Sequence, residues 1–104
     1  MTAALLSLAL LHGVVMRGPT APVCTIGKPC SAPAVGAVLV FSRDGRSVRA
    51  RVGAGGRYSV RLAPGAYTVR QAPEPGVGFG VRPDRVVVRR VGTHANFFID
   101  TGIR

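Results

Sequence analysis

Between residues 47 and 71 apolar and polar side chains alternate, and only clusters of glycine, alanine and proline interrupt the pattern. A period of two belongs to a strand with one face in a core and the other in water, whereas a helix repeats every 3.6 residues. In SVRARV (47–52), Val48, Ala50 and Val52 share one face and Arg49 and Arg51 the other. In RYSVRL (57–62), Tyr58, Val60 and Leu62 oppose Arg57, Ser59 and Arg61, and in AYTVRQ (66–71), Tyr67 and Val69 oppose Thr68 and Arg70. The four residues GAGG (53–56) cannot hold a packed strand and form a turn. Pro64 and Gly65 suit the two central positions of a type II turn. Residues 55–70 therefore read as a β-hairpin with its register set by that turn.

The rest of the chain after residue 33 continues in short runs broken by turn residues, the mark of an all-β sandwich or barrel. AVGAVLVFS (34–42) is nearly continuously apolar and reads as a strand buried on both faces or central in a sheet. Asp44-Gly45 after it is a strong hairpin signal. APEPGVGFGVRP (72–83) reads as a long connection with an irregular edge strand around 79–81. RVVVRRV (85–91) is a strand with Val86 and Val88 toward the core, and HANFFI (94–99) a last strand with Ala95, Phe97 and Ile99 on one face. Seven candidate strands predict a seven-stranded antiparallel β-sandwich over 34–100, followed by a tail at 101–104.

The N-terminal run TAALLSLALLHGVVM (2–16) carries no charge and is followed by Arg17 and Gly18-Pro19. It is shorter than the ~20 apolar residues of a membrane-spanning helix. Its composition fits an apolar leader helix over 1–17, either a signal peptide or an uncleaved membrane anchor, and the competing reading is a hydrophobic element of the fold. Between this run and the sandwich, residues 18–33 contain Cys24 and Cys30 in CTIGKPC. In an exported chain such a pair is a disulfide, here closing so short a loop that it contributes near the low end of about 2–4 kcal/mol. Metal binding would require about four suitably spaced ligands, while His12 and His94 stand at opposite ends of the chain. No metal and no cofactor is expected.

Charge is the strongest compositional signal: 14 Lys plus Arg against 4 Asp plus Glu, a formal net charge of +10. All but Lys28 of these cations are arginine, whose fork matches phosphate and carboxylate. Arg49, Arg51, Arg57, Arg61 and Arg70 all occupy the outward phase of three consecutive strands and form a candidate anion-binding face, or else simply a solvated one. Tyr58, Tyr67 and Phe97 fall in the inward phase, which speaks against the exposed stacking platforms of a nucleic-acid binder. No catalytic motif assembles a nucleophile with a base, and the glycines of GAGGRY and GVGFG precede no helix that could cradle phosphate. The expectation is a noncatalytic protein, touching a membrane only through its N-terminal segment.

At GAGGRYSVRLAPGAYTVR the sequence resembles the carboxypeptidase regulatory-like domains, which are β-sandwiches of the transthyretin or prealbumin type. Gly56, Arg57, Tyr58, Val60, Leu62, Pro64, Gly65, Tyr67 and Val69 match the family's recurring pattern position by position, and AVGAVLVFSRDGR resembles its first strand and hairpin. The whole chain is similar to small secreted bacterial proteins with one such domain. The resemblance implies an exported structural or interaction module of the cell envelope, with an unknown protein as its partner. Binding of an anionic envelope polymer or another polyanion through the arginine-rich face is the alternative. Gly53-Ala54-Gly55 lacks the family's turn aspartate, and Lys28 lies outside the strands, so neither a metal-assisted turn nor an internal isopeptide bond is implied. Mass spectrometry of the nonreduced protein is expected to show it lighter than the reduced chain by one molecule of hydrogen, with Cys24 and Cys30 in one linked peptide pair; free thiols at both would refute the bridge.

Overall fold

The computed structural model describes residues 8–18, 31–72 and 80–100. Cys24, Cys30 and the tail at 101–104 lie outside them. The described residues form ten strands: β1 (Ala9–Gly18), β2 (Ala32–Pro33), β3 (Val38–Arg43), β4 (Arg46–Arg51), β5 (Arg57–Leu62), β6 (Gly65–Ala72), β7 (Gly80–Arg82), β8 (Arg85–Val88), β9 (Thr93–His94) and β10 (Phe97–Asp100). They make two sheets, one of four strands in the order β4-β3-β6-β8 and one of six built around β1. The class is all-β, as the alternation requires, but the strands are more numerous than the seven expected because the N-terminal run at 9–18 and short segments at 32–33 and 93–94 also pair.

The N-terminal apolar run is the largest departure from the sequence reading. In place of a leader helix, Ala9–Gly18 form the longest strand, and Ala9, Leu11, Gly13 and Val15 are buried in strict alternation with exposed or half-buried neighbours. The period of two was hidden because Leu8 and Leu10 place apolar side chains on the solvent side as well. β1 pairs antiparallel with β5 along Ala9 to Val14 and with β2 at Met16 and Arg17. On its other edge it pairs parallel with β9 at Leu11 and His12 and with β10 from Val15 to Gly18. The sheet is therefore mixed rather than purely antiparallel. Among the described residues no helix is long and apolar enough to cross a membrane.

Between β9 and β10 the backbone leaves the ladder at Ala95 and Asn96, and the break is closed by substitutes. The Ala95 N–H donates to the His12 carbonyl at 2.9 Å, and the Asn96 Oδ1 accepts from the Val14 N–H at 2.9 Å. Gly13 makes this possible, since a Cβ there would run into the Ala95 carbonyl oxygen. The Tyr58 hydroxyl donates to that same carbonyl at 2.6 Å.

The hairpin expected at 55–70 is corrected. β5 belongs to the six-stranded sheet and β6 to the four-stranded one, so Ala63 and Pro64 carry the chain across the sandwich. Periodicity specifies which side chains face inward, and both arrangements give Tyr58, Val60, Leu62, Tyr67 and Val69 the same phase. The crossing is a tyrosine corner, in which a Tyr hydroxyl bonds the backbone a few residues upstream: Tyr67 donates to the Ala63 carbonyl at 2.6 Å. Arg43 completes it by donating from Nη1 to the Pro64 carbonyl at 2.7 Å with its guanidinium 5.8 Å from the centre of the Tyr67 ring. Gly65 has φ of 149°, not the type II value, and any Cβ on it would meet the Arg43 guanidinium.

The other expectations about β3, β4 and β8 hold in phase, except that Val48 of β4 is exposed and β8 ends at Val88 instead of running to Val91. β3 is central, with Leu39, Val40 and Phe41 all buried, although residues 34–37 form a turn before it. Asp44 and Gly45 have φ of 50° and 77° and close the β3–β4 hairpin at the register Arg43 to Arg46. Val88 is buried and Val87 is 61% exposed. Between the sheets, Phe41 of one meets Tyr58 and Phe97 of the other, with ring centres 6.2 and 6.0 Å away, and Tyr58 lies 5.7 Å from Phe97. Such aromatic contacts add to the burial of Leu11, Leu39, Leu62 and Val15 around them. Gly13→Ala is expected to lower stability by about 1–3 kcal/mol, as overpacked sites do, measured by chemical denaturation; an unchanged midpoint would show that the Ala95 approach is not tight.

Candidate functional site

The five outward arginines do not share one face. Arg49 and Arg51 lie on β4 and Arg70 on β6, in the four-stranded sheet, whereas Arg57 and Arg61 lie on β5 in the other. The chain crosses between sheets after β4 as well as after β5, so β4, β5 and β6 are not neighbours in one sheet. Arg49 and Arg70 flank Val40 in register, and Val40 is only 1% exposed although it points away from the core.

A hollow of about 510 Å³ brings together residues that sequence spacing separates: His12, Arg51, Gly53, Arg57, Ser59 and His94 are in its lining. β1 is the organiser. His12 stands in register with Ser59 of β5 on one side and His94 of β9 on the other, so the three side chains form a row across three strands. The two imidazole ring centres are 5.2 Å apart and tilted by 41°. One row further along, Val14 is in register with Arg57. Arg51, at the end of β4, reaches the same hollow because the turn at Ala54–Gly56 folds the chain from one sheet to the other there. No carboxylate is among the lining residues.

Sequence reasoning set His12 and His94 aside as lying at opposite ends of the chain, and it did not single out Ser59. The apolar run around His12 resembled a leader, and nothing in local spacing links it to a histidine 82 positions away. Reading LLHGVV as a strand would have supplied the missing signal. Arg61 lies instead beside a second hollow of about 550 Å³, whose lining mixes Arg43 and Arg46 with Asp44. That group already contains an anion, and Arg43 lies 3.5 Å from the Asp44 carboxylate. Among the described residues no three His, Cys, Asp or Glu side chains gather in a way that could hold a metal ion.

No protein-family model matches the sequence, nor does any curated protein sequence. Two solved structures are similar in fold. A DUF3823 family protein from Parabacteroides merdae ATCC 43184 superposes with a TM-score of 0.55 at 19% identity, over 88% of this chain and 45% of its own. A DUF3823 family protein from Bacteroides ovatus ATCC 8483 gives a TM-score of 0.56 at 19% identity, over 88% of this chain and 44% of its own. The chain thus spans less than half the length of either. At this identity the likeness is one of β-rich fold.

Tyr58 ties the floor of the hollow to the core. Its ring packs between the sheets, its hydroxyl bonds Ala95, and burial pushes its ionisation above the ordinary phenol value of 10.0. The unfolded chain therefore loses this proton before the folded one does. The stability gained is complete below about pH 10 and falls away as the pH rises past it. Denaturation at about pH 9 and about pH 11 should show a loss for the parent protein that is smaller in Tyr58→Phe; equal losses would place the alkaline sensitivity elsewhere.

Proposed function

We propose that this chain is a noncatalytic, exported interaction module of the cell envelope, built on a carboxypeptidase regulatory-like sandwich, and that its partner is an anionic polymer. One observation carries the reading: arginines project from both outer faces and from the β4–β5 crossing, and the hollow at that crossing has two guanidiniums and no carboxylate. Such a surface attracts anions over a distance and gains little from internal ion pairs. The polar groups between the sheets serve structure instead, since the Tyr58 and Tyr67 hydroxyls each bond a backbone carbonyl. The residues shared with secreted domains support an extracytoplasmic setting.

Retention on heparin or on a teichoic-acid matrix is expected at low salt and to fall steeply as salt rises. Changing Arg49 and Arg70 to Ser, and separately Arg51 and Arg57, should shift elution to lower salt and rank the two faces. Absence of retention at low salt would overturn the polymer as partner.

A further inference from the structure

The row of His12, Ser59 and His94, together with Arg51 and Arg57, has the composition of a discrete site. All five are exposed, and none donates or accepts a side-chain hydrogen bond or forms an ion pair with any described residue; the two imidazoles touch only each other as rings. The neighbouring polar groups are already occupied: the Tyr58 hydroxyl by Ala95 and the Val14 N–H by Asn96. What remains is a set of donors from β1, β4, β5 and β9 around one concavity. Its charged and titratable neighbours on those elements are Arg51, Arg57, His12, His94 and the buried Tyr58, with no carboxylate in the lining.

We propose that this hollow is a binding site for a phosphate group. The inference deepens the anionic-partner reading by assigning one pocket and one chemistry. Guanidinium forks match phosphate oxygens in pairs, an imidazole donates from one nitrogen when neutral and from both when cationic, and a serine hydroxyl adds a neutral donor. A metal cation is the poorer fit, because the His pair would have to hold it beside two guanidiniums. Two imidazoles 5.2 Å apart repel when both are charged, and an anion between the cations relieves that repulsion. A hollow of about 510 Å³ exceeds the needs of one phosphate and leaves space for the organic group attached to it.

The test is titration of the full chain with inorganic phosphate, followed through the His12 and His94 ring C–H signals by NMR and through heat by calorimetry. Phosphate is expected to move both histidine signals at a fixed pH, with saturation that matches the heat of binding. Arg51→Gln with Arg57→Gln should weaken binding roughly tenfold or more. His94→Gln should weaken binding several-fold, and Arg46→Gln with Arg90→Gln, at exposed positions on β4 and in the turn after β8 that do not line the hollow, removes equal charge and should leave phosphate affinity unchanged. Thermal melts establish that each variant is folded, and Ser59→Ala, a small exposed change, provides a second probe with a weaker loss. Equal effects of the two double-arginine variants, or a response to Zn²⁺ and none to phosphate, would overturn the site. A poly(glycerol phosphate) arm separates the levels: polymer retention without phosphate binding refutes this pocket alone, and phosphate binding without polymer retention refutes the polymer reading alone.

Discussion

The structure depends on β1 being paired along both edges. Its ten residues hold β5 and β2 on one side and β9 and β10 on the other, so most of the six-stranded sheet meets at this strand. Two of those partnerships are parallel and join residues about 80 positions apart, which are costly to close and yield nothing until the rest has formed. Gly13 is the point of closest approach, where the chain admits the Ala95 carbonyl and lets Asn96 replace a missing backbone acceptor. The backbone bonds supply geometry, and the burial of Leu11 and Val15 supplies much of the favourable free energy.

The two crossings between sheets follow from that centre. Among the described residues β5 pairs only with β1, and the next strand leaves the sheet by way of Leu62-Ala63-Pro64-Gly65-Ala66-Tyr67. Pro64 has no N–H to place in a ladder, Gly65 accepts an unusual φ beneath Arg43, and Tyr67 bonds back across the bend. Phe41, Tyr58 and Phe97 then close on each other from the two sheets. The same strand that anchors the core through Tyr58 carries Arg57 and Ser59 on its other side. Core packing thereby holds the surface donors at a defined spacing.

The donor-lined hollow is thus a product of topology. Arg51 and Arg57 are six positions apart and meet because the chain changes sheets between them. His12 and His94 meet because β1 and β9 run side by side. In contrast, Arg49 and Arg70 flank Val40 in the four-stranded sheet. A row of arginines with one sequence period therefore serves at least two physical settings.

The alternation of Tyr58, Val60, Leu62, Tyr67 and Val69 against Arg57, Ser59, Arg61 and Arg70 determined by itself that the chain is all-β and which side chains face inward, because phase is a local property of strand geometry. The Asp44-Gly45 hairpin was legible for the same reason, as four residues suffice to define it. Only the tertiary structure decided which strands are partners. An inward face looks alike in a hairpin and in two strands on opposite sheets, and Leu8 and Leu10 concealed the phase of β1 by making both its faces apolar. The site was invisible with it, since its donors are assembled by pairing between distant segments, and pairing is set by the free energy of the whole core rather than by any one stretch.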